Sequence, residues 1–568
     1  MRRFRRIVFV LALVALALWW FLPSQGPRIV PGSALVLELS GEYVEAAEPP
    51  LLARLLGDGR HSFVALLSEL RKAERDERLA VVVLRMRDLE IGWAKAQELR
   101  AAIQALRSHG RRVIAYLETG KLGANVEYYV AVAADEVRAA PATRSPMIGL
   151  AAEYVFLGGL WERFGVDVEV ERVGEYKGAA EMLSERKMSA ANREMANSLL
   201  DAIDSQFVAG IAEGRRLEPA AVRRAIDDAP ISPEQLKQLR LIDGIQFWDE
   251  LVDELGGAEK LVEAKDYARV DPKLVGFAPT ARFALIYGSG NVVVGRGTAS
   301  RSGSPIFASD TISEALADAS KDAGIQAIIL RIDSPGGSPL AADQIWRAAR
   351  QARAQGKPVI VSCSDLAASA AYYAAAGADA IVALPGSLTG SIGVFVLRPV
   401  LRGLLEKLDV GVESLTRGGY ASLLLASEPL TERTRAWLHA EVVSIYDLFL
   451  SRVSEGRDLT LEQVDAVARG RVWTGEQAAS KGLVDEIGGL RVAVRRALLQ
   501  LKLDPESDVA LVPYPAPVSL AEQVDETLRN LTARADPLGG VLRRAEPWLE
   551  AMRAGAPALL PPFIPRIR

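Results

Sequence analysis

The chain has 568 residues, a length that excludes a single ordinary core and predicts two or more domains. Hydrophobic residues make up 49% and charged residues 25% of it, which is the composition of a globular protein. The formal net charge of −4 excludes the strongly basic balance of a nucleic-acid-binding protein, and the single cysteine, Cys363, excludes an intramolecular disulfide.

The first predicted element is a membrane anchor. Arginines precede an uninterrupted apolar run over residues 7–22, a pattern typical of an export signal whose N-terminus stays in the cytoplasm. The run is short for a membrane span, but Trp19 and Trp20 occupy the region where a small-residue cleavage site would lie. We therefore expect residues 1–30 to form an uncleaved transmembrane helix, in preference to a removed signal peptide or a buried soluble helix.

Strands and helices alternate through the first half of the chain. Apolar runs predict strands at residues 34–39, 81–85 and 113–117, and helical spacing predicts helices at 62–80 and 94–107. Alternation of this kind predicts a parallel sheet flanked by helices.

The same order returns in the second half, so the chain contains an internal repeat. The matching segments are Val82-Val83-Leu84-Arg85 with Ile328-Ile329-Leu330-Arg331, and Tyr128-Tyr129 with Tyr372-Tyr373. In the second copy, the apolar run at 327–332 predicts a buried parallel strand, and a helix is expected at 340–355.

The repeat predicts the domain organisation. The expected parts are a first copy at 31–255, a linker at 256–280, a second copy at 281–500 and a C-terminal extension at 501–568. Each copy should end in a helical arm, at 192–216 and 432–457, whose apolar spacing predicts packing within or between subunits.

One glycine-flanked hydroxyl is a candidate nucleophile. Ser391 lies between Gly390 and Ile392-Gly393, where the absence of side chains lets a backbone come close to a bound peptide. The alternative is an ordinary loop hydroxyl.

A second candidate feature follows the strand at 327–332. The turn Asp333-Ser334-Pro335-Gly336-Gly337 ends that strand, and exposed N–H groups of Gly336 and Gly337 suit an oxyanion hole. The alternative is a tight turn with no catalytic role.

The two copies have lost complementary residues. The repeat places Met147 opposite Ser391, so the first copy lacks the hydroxyl, and it places Ala421 opposite Lys177, so the second copy lacks the amine. The three histidines lie away from the glycine-rich turns, so an activating base other than histidine is expected. A single active site shared between the copies explains this pattern, provided that burial lowers the pKa of Lys177 enough to keep its amine neutral.

These motifs resemble the long, duplicated form of the bacterial signal peptide peptidase A family, also called protease IV. The resemblance runs from the N-terminal anchor to about Gly489 and rests on the Gly336-Gly337 turn, Thr389-Gly390-Ser391-Ile392-Gly393 and Tyr176-Lys177-Gly178. It implies an α/β fold of tandem duplicated crotonase-like domains, similar to the Clp protease, with parallel sheets and helical arms.

The same resemblance implies the site and the assembly. Ser391 would be the nucleophile, Lys177 the general base, and a glycine N–H of Gly336-Gly337 part of the oxyanion hole, with no cofactor and no metal. The protein would form a homotetrameric bowl open to the membrane. Ala370 and Ala371 depart from the family's glycine-rich helix start, which predicts a narrower peptide groove.

The expected function is that of a membrane-anchored serine-lysine endopeptidase, which degrades cleaved signal peptides and other apolar peptides by acyl-enzyme hydrolysis. The anchor predicts a bacterial inner-membrane protein, in contact with membrane lipid, whose catalytic body lies in the periplasm. Apolar peptides are its expected partners, and nucleic acid is not.

Two other functions use the same sequence features. A crotonase-like enzyme could act on acyl-coenzyme A thioesters, but the export signal argues against it because coenzyme A is cytoplasmic. A membrane-anchored scaffold with an inactive site is the second alternative.

Overall fold

The computed structural model describes residues 29–45, 61–298, 300 and 304–516. The predicted anchor at 1–30 lies outside this part of the chain except for its last two residues, as does the C-terminal extension after residue 516. Among the helices of the described residues, none is long and apolar enough to cross a bilayer.

The first copy is built on a parallel sheet with its own hydrophobic core. The strands of this half are β1 (Ser33–Val44), β2 (His61–Ser62), β3 (Leu79–Glu90), β4 (Arg112–Leu117), β5 (Glu136–Ala139), β6 (Asp167–Val173), β7 (Gly244–Ile245) and β8 (Leu261–Glu263). Within the described residues the sheet has seven strands in the order β2-β1-β3-β4-β5-β7, with β8 paired to β1. Strand β6 lies outside it and pairs elsewhere.

Helices cover this sheet and extend from it. They are α1 (Phe63–Arg75), α2 (Trp93–Ser108), α3 (Asn125–Ala131), α4 (Gly158–Phe164), α5 (Glu181–Ser184), α6 (Ala190–Arg215), α7 (Pro219–Asp228), α8 (Pro233–Gln238), α9 (Trp248–Glu254) and α10 (Ala264–Tyr267). The prediction of one helix over 62–80 is wrong at its C-terminal end. Asp76 is extended and its carboxylate accepts a hydrogen bond from Arg78 N, which turns the chain into β3.

The second copy repeats this plan around a second core. Its strands are β9 (Ala281–Ser289), β10 (Asn291–Val293), β11 (Ile306–Ala308), β12 (Ala327–Ser334), β13 (Val359–Ala368), β14 (Ala380–Ala383), β15 (Leu388–Gly390), β16 (Val394–Val400), β17 (Val472–Thr474), β18 (Glu486–Ile487) and β19 (Val509–Tyr514). The sheet runs β17-β15-β13-β12-β9-β19, and β14 links β13 to β18. Cys363 is buried in β13.

The helices of the second copy complete the repeat. They are α11 (Ser309–Lys321), α12 (Pro339–Ala354), α13 (Ala370–Ala375), α14 (Arg402–Lys407), α15 (Glu432–Arg457), α16 (Leu461–Val467), α17 (Gly475–Ala479) and α18 (Leu490–Gln500). The two predicted arms are confirmed as α6 and α15, each of 26 residues.

Two strands lie beyond the predicted ends of the copies and still pair with their sheets. Strand β8 lies in the predicted linker at 256–280, yet it pairs with β1 of the first sheet. Strand β19 lies in the predicted extension at 501–568, yet it pairs with β9 of the second sheet. Each sheet therefore continues into a strand beyond the predicted end of its copy, because an unpaired edge strand leaves backbone N–H and C=O groups without partners.

The two copies are joined by a strand pair and a helix cap. Strand β6 of the first copy pairs antiparallel with β16 of the second, from Val173 opposite Val394 to Asp167 opposite Val400. The carboxylate of Asp365, in β13, accepts hydrogen bonds from the backbone of the first turn of α2. These contacts fix the register in which the predicted active-site halves meet.

Candidate active site

Lys177 of the first copy lies against two serines of the second. Its Nζ is 2.8 Å from Ser369 Oγ and 2.8 Å from Ser391 Oγ. It is also 2.7 Å from the carbonyl oxygen of Ser391. All three side chains are fully buried. The structure thus brings together the residues predicted as base and nucleophile, and adds Ser369, which the sequence analysis did not single out.

The strand pair between the copies delivers the lysine. Lys177 follows the end of β6 by four residues, and the N–H of its neighbour Tyr176 donates to the carbonyl of Arg469 at 3.1 Å. Gly470 permits the contact, because a Cβ there would lie 2.5 Å from the Lys177 backbone nitrogen. The absence of a side chain at Gly470 of the second copy therefore leaves room for Lys177 of the first copy.

Burial sets the protonation state of this amine. Desolvation lowers the pKa of Lys177 well below its ordinary value of 10.5, because the charged form loses its hydration in the enclosed site. A lysine that is neutral near physiological pH can accept a proton, which an ordinary lysine cannot do.

The three contacts of the amine define what it can do. A neutral amine has two N–H donors and one lone pair. The carbonyl oxygen of Ser391 can only accept, so it takes one N–H. The other N–H and the lone pair remain for two hydroxyls, so one serine accepts a hydrogen bond while the other donates its proton towards Lys177. In its neutral form Lys177 can therefore accept a proton from only one of the two serines at a time.

Both serines occupy strained backbone positions. Ser369 has φ 57° and ψ −119° and connects β13 to the start of α13. Ser391 has φ 53° just after β15. Residues other than glycine adopt positive φ rarely, and such strain clusters at functional sites. At Ser369 the strained strand-to-helix turn places a buried hydroxyl at the N-terminus of a helix, as in a nucleophile elbow.

The predicted oxyanion turn contains one free donor. The N–H of Gly336 donates to Ser334 Oγ at 3.2 Å. Gly337 forms a parallel bridge to Val292 in which Gly336 O and Ser338 N make the hydrogen bonds. The N–H of Gly337 itself points away from Val292 and has no acceptor among the described residues. Of the two predicted glycines, Gly337 is thus the one able to stabilise an oxyanion.

Strand order decides which serine lies nearer to this donor. Ser334 pairs with Ala367, and Ala367 pairs in turn with Thr389, so β12, β13 and β15 are adjacent in that order. The glycine turn follows β12, Ser369 follows β13, and Ser391 follows β15. Since neighbouring strands are about 4.8 Å apart, Ser369 is next to the turn and Ser391 is one strand farther away.

A local signal for Ser369 was present in the sequence. Ala367-Ala368-Ser369-Ala370-Ala371 places a hydroxyl among small residues between the end of a predicted strand and the Tyr372-Tyr373 helix. That is the pattern expected of a nucleophile at a strand-to-helix junction, although alanines replace the usual glycines. The N–H of Ala370, the first residue of α13, supplies a second candidate oxyanion donor because it has no partner within its own helix.

An apolar pocket begins beside Lys177. Its lining includes Gly178, the next residue, and Val472, which follows the Arg471 whose carbonyl accepts from Ser391 N at 2.7 Å. The side chains that make the pocket apolar are Phe156, Met182, Met188, Met195 and Leu199. Methionine is flexible and polarizable, so such a lining can adapt to apolar groups of different shapes.

Comparison with known proteins gives consistent matches. A family model described as Peptidase family S49 matches residues 105–262 and 351–504. The chain is 33% identical to the "Serine protease SPPA, chloroplastic" of Arabidopsis thaliana over 95% of its own length and 81% of that protein. It is 28% identical to "Protease 4" of Haemophilus influenzae over 86% of its own length and 82% of that protein. Among solved structures, a ClpP1 mutant of Listeria monocytogenes matches with 16% identity and a TM-score of 0.24, covering 37% of this chain and 94% of that one.

Proposed function

We propose that this chain, which belongs to peptidase family S49 and is a serine peptidase, cleaves peptides with Ser369 as nucleophile and Lys177 as general base. The observation that carries the proposal is the 2.8 Å contact between a fully buried amine, whose pKa burial lowers well below its ordinary value, and a hydroxyl that lies next to a free oxyanion donor. The matches to the family span both copies, so they support a single site that both copies complete.

The residues support a two-step reaction. Lys177 Nζ takes the proton of Ser369 Oγ as that oxygen attacks the scissile carbonyl, and the N–H groups of Gly337 and Ala370 stabilise the tetrahedral oxyanion. The lysine then gives its proton to the leaving amine, which leaves an ester on Ser369. A water molecule that passes a proton to Lys177 attacks this ester, and the proton returns to Ser369 as the acid product departs.

Ser391 has a different role in this proposal. Its carbonyl oxygen and hydroxyl both contact Lys177 Nζ, so it holds the amine in place and orients its lone pair towards Ser369. The sequence predicted Ser391 itself as the nucleophile, and that assignment is the alternative outcome of the test.

The test compares single serine substitutions. Ser369→Ala should lower peptide hydrolysis by about 10³-fold or more, whereas Ser391→Ala should lower kcat less and leave a reactive nucleophile. A fluorophosphonate probe followed by peptide mass spectrometry should label Ser369 in the wild type and in the Ser391→Ala variant. Ser387→Ala, which removes a buried hydroxyl bonded to Ser364 O, is the matched control and should keep activity. Labelling at Ser391 instead would restore the prediction from the sequence.

Apolar peptides, including cleaved signal peptides, are the substrates that we propose. The methionine-rich pocket beside Gly178 supports this choice because it offers apolar side chains next to the segment that carries Lys177. The predicted anchor at 1–30 would hold the body at a bacterial inner membrane, on the periplasmic side, where such peptides leave the bilayer. In a side-chain library, Met195→Ala should change the preference among apolar residues, and equal cleavage of acidic peptides by the wild type would contradict the proposal.

We also propose self-assembly, with the homotetramer as the expected form. The repeat relates β6 to residues 411–417 and β16 to residues 150–156, but within the described residues neither of these segments forms a strand. Leu415 in the first of them is 92% exposed. Pairing of 411–417 with 150–156 of another copy would repeat the β6–β16 pair between subunits and close a ring. Light scattering should find an oligomer that Leu415→Asp dissociates, and a monomeric wild type would contradict this.

A further inference from the structure

A buried lysine of the first copy reaches the catalytic turn of the second. Lys95, in α2, is 3% exposed, and its Nζ is 2.5 Å from the carboxylate of Asp333 and 2.9 Å from that of Asp365. Asp333 is the first residue of the turn that carries Gly337. We infer that Lys95 is a positioning residue for the oxyanion hole: by holding Asp333, it fixes the direction of the Gly337 N–H. This inference rests on the proposed function.

The connection from Lys95 to the oxyanion donor is short. The carboxylate of Asp333 also accepts from Leu366 N at 3.2 Å, and its carbonyl accepts from Gly290 N at 3.0 Å. The next residue, Ser334, is fully buried and accepts the N–H of Gly336. Among the described residues Asp333 is thus held from three directions, and the contact with Lys95 comes from the other copy.

Lys95 is itself held in place by the second copy. The carboxylate of Asp365 accepts from Lys95 N at 3.0 Å and from Gly92 N at 3.2 Å, so it caps the N-terminus of α2 across the interface. Gly92 makes this approach possible, because a Cβ there would lie 2.3 Å from the Asp365 carboxylate. The position of the Lys95 backbone is therefore fixed by Asp365, and its amine is fixed by Asp333.

The charges in this contact are maintained at neutral pH. Burial opposes the ammonium form, but the carboxylates of Asp333, Asp365 and Glu45 raise the pKa of Lys95 well above its ordinary value. Burial raises the pKa of Asp333 to about 6, Asp365 and Glu45 act in the same direction, and Lys95 opposes them. The negative charge of Glu45 is balanced mainly by Arg331, whose guanidinium lies 2.9 Å from Glu45 Oε2.

Stability alone does not explain a lysine at this position. A buried ion pair is often no more stabilising than apolar side chains of the same volume. The repeat places Ala341 opposite Lys95 and Arg87 opposite Asp333, so the first copy, which lacks the glycine turn, also lacks this contact. The ion pair and the catalytic turn occur together, which is what a positioning role requires.

The test separates positioning from folding. Lys95→Met should lower kcat roughly 10- to 100-fold on a peptide substrate while KM changes less than about twofold, because the oxyanion forms only in the transition state. A peptide aldehyde, whose serine adduct places an oxygen in the oxyanion hole, should lose affinity by the same factor as kcat. The limb of the pH profile that Lys177 controls should keep its midpoint.

Two further variants keep the inference falsifiable. Lys72→Met removes another buried lysine of the first copy, which donates to Tyr267 O at 2.7 Å, and it should lower stability without changing kcat or aldehyde affinity. Asp333→Asn keeps the shape and an acceptor for Leu366 N, so it should fold and reproduce the kinetic effect of Lys95→Met.

The outcomes are distinguishable from failure of the proposed function. Unchanged kcat and aldehyde affinity in a folded Lys95→Met or Asp333→Asn variant would overturn the positioning role while the wild type still cleaves peptides. A wild type that neither cleaves peptides nor reacts with the fluorophosphonate would overturn the proposed function and this inference with it.

Discussion

The two loops that carry Ser369 and Ser391 in the second copy have counterparts in the first copy, and the two versions of this corner of the fold differ in their side chains. In the second copy, Ser369 and Ser391 follow neighbouring strands and both contact a lysine that enters from outside. In the first copy, Asn125 and Met147 take the corresponding positions. The side chain of Asn125 donates to Gly149 O at 3.0 Å and accepts from Ile148 N at 3.2 Å, so it joins the two loops directly.

This difference indicates that the first copy contributes mainly to stability and the second copy to the proposed catalysis. Met147 is fully buried in the core of the first copy, where the second copy keeps a hydroxyl at positive φ. At this corner the first copy links its two loops through Asn125 and fills the position of Ser391 with Met147, and it contributes Lys177 from a segment outside its own sheet. The second copy retains the strained turns that a reaction needs.

Removing the shared lysine should have the largest effect. Lys177→Met should lower peptide hydrolysis by up to about 10⁴-fold, because in the proposed reaction Lys177 is the base in both steps. The same change removes a desolvated amine from a closed apolar setting, so the free energy of unfolding should rise by about 0.5–2 kcal/mol. Activity assays and thermal unfolding would measure both, and a loss of stability with the loss of activity would indicate that Lys177 acts through structure.

The second-largest effect should come from adding a side chain at Gly337, in the turn that carries the proposed oxyanion donor. Gly337 has φ 151°, and a Cβ there would lie 2.1 Å from the carbonyl oxygen of Val292. Gly337→Ala should therefore move the donor and lower kcat by about 10²- to 10³-fold. Gly356→Ala is a suitable control, because it also has positive φ but nothing within 4 Å of the added methyl. Equal loss of activity in both variants would attribute the effect to backbone strain in general.

The pH profile should show a smaller, graded effect. Burial lowers the pKa of Lys177, so kcat/KM should fall about tenfold per pH unit below that pKa, where the amine is protonated. The unfolded chain binds a proton at this lysine up to about pH 10.4, whereas the folded chain does not above its lowered pKa. Stability should therefore increase with pH between these two values, and Lys177→Met should remove that slope. A profile that keeps the slope in the variant would assign it to another group.

The sequence predicted the parts of this comparison that local patterns encode. Apolar runs and matching segments gave the duplicated sheets, and the complementary losses at Met147 and Ala421 led to the contact between Lys177 and Ser391 that the structure has. The β6–β16 pair was not predicted, because it joins residues that are far apart in sequence and have no counterpart in a local period. Ser369 was missed because its alanine neighbours were interpreted as a departure in the peptide groove.

The smallest expected effect is that of Asn125→Ser, which tests whether a serine at this position would make the first copy reactive. Asn125→Ser in the Ser369→Ala background should give no peptide hydrolysis and no fluorophosphonate labelling, because Lys177 lies at the other copy and the first copy has Arg87 and Asp88 where the second has Asp333 and Ser334. In the wild-type background the same change should leave kcat unaltered. It should lower the free energy of unfolding by about 1–3 kcal/mol, since the two part-buried hydrogen bonds that Asn125 makes with Gly149 and Ile148 are lost.

Asn197→Ser, on the exposed side of α6, is the matched control and should change stability by less than about 0.5 kcal/mol. If Asn125→Ser matched this control, Asn125 would not be the link that closes the first copy. If the fluorophosphonate labelled the serine introduced by Asn125→Ser, the two copies would differ in reactivity through this side chain alone. Lys177 would then not be the cause of the difference. The expected result, a loss of stability without a gain of reactivity, makes the position of Lys177 the feature that separates the catalytic copy from the structural one.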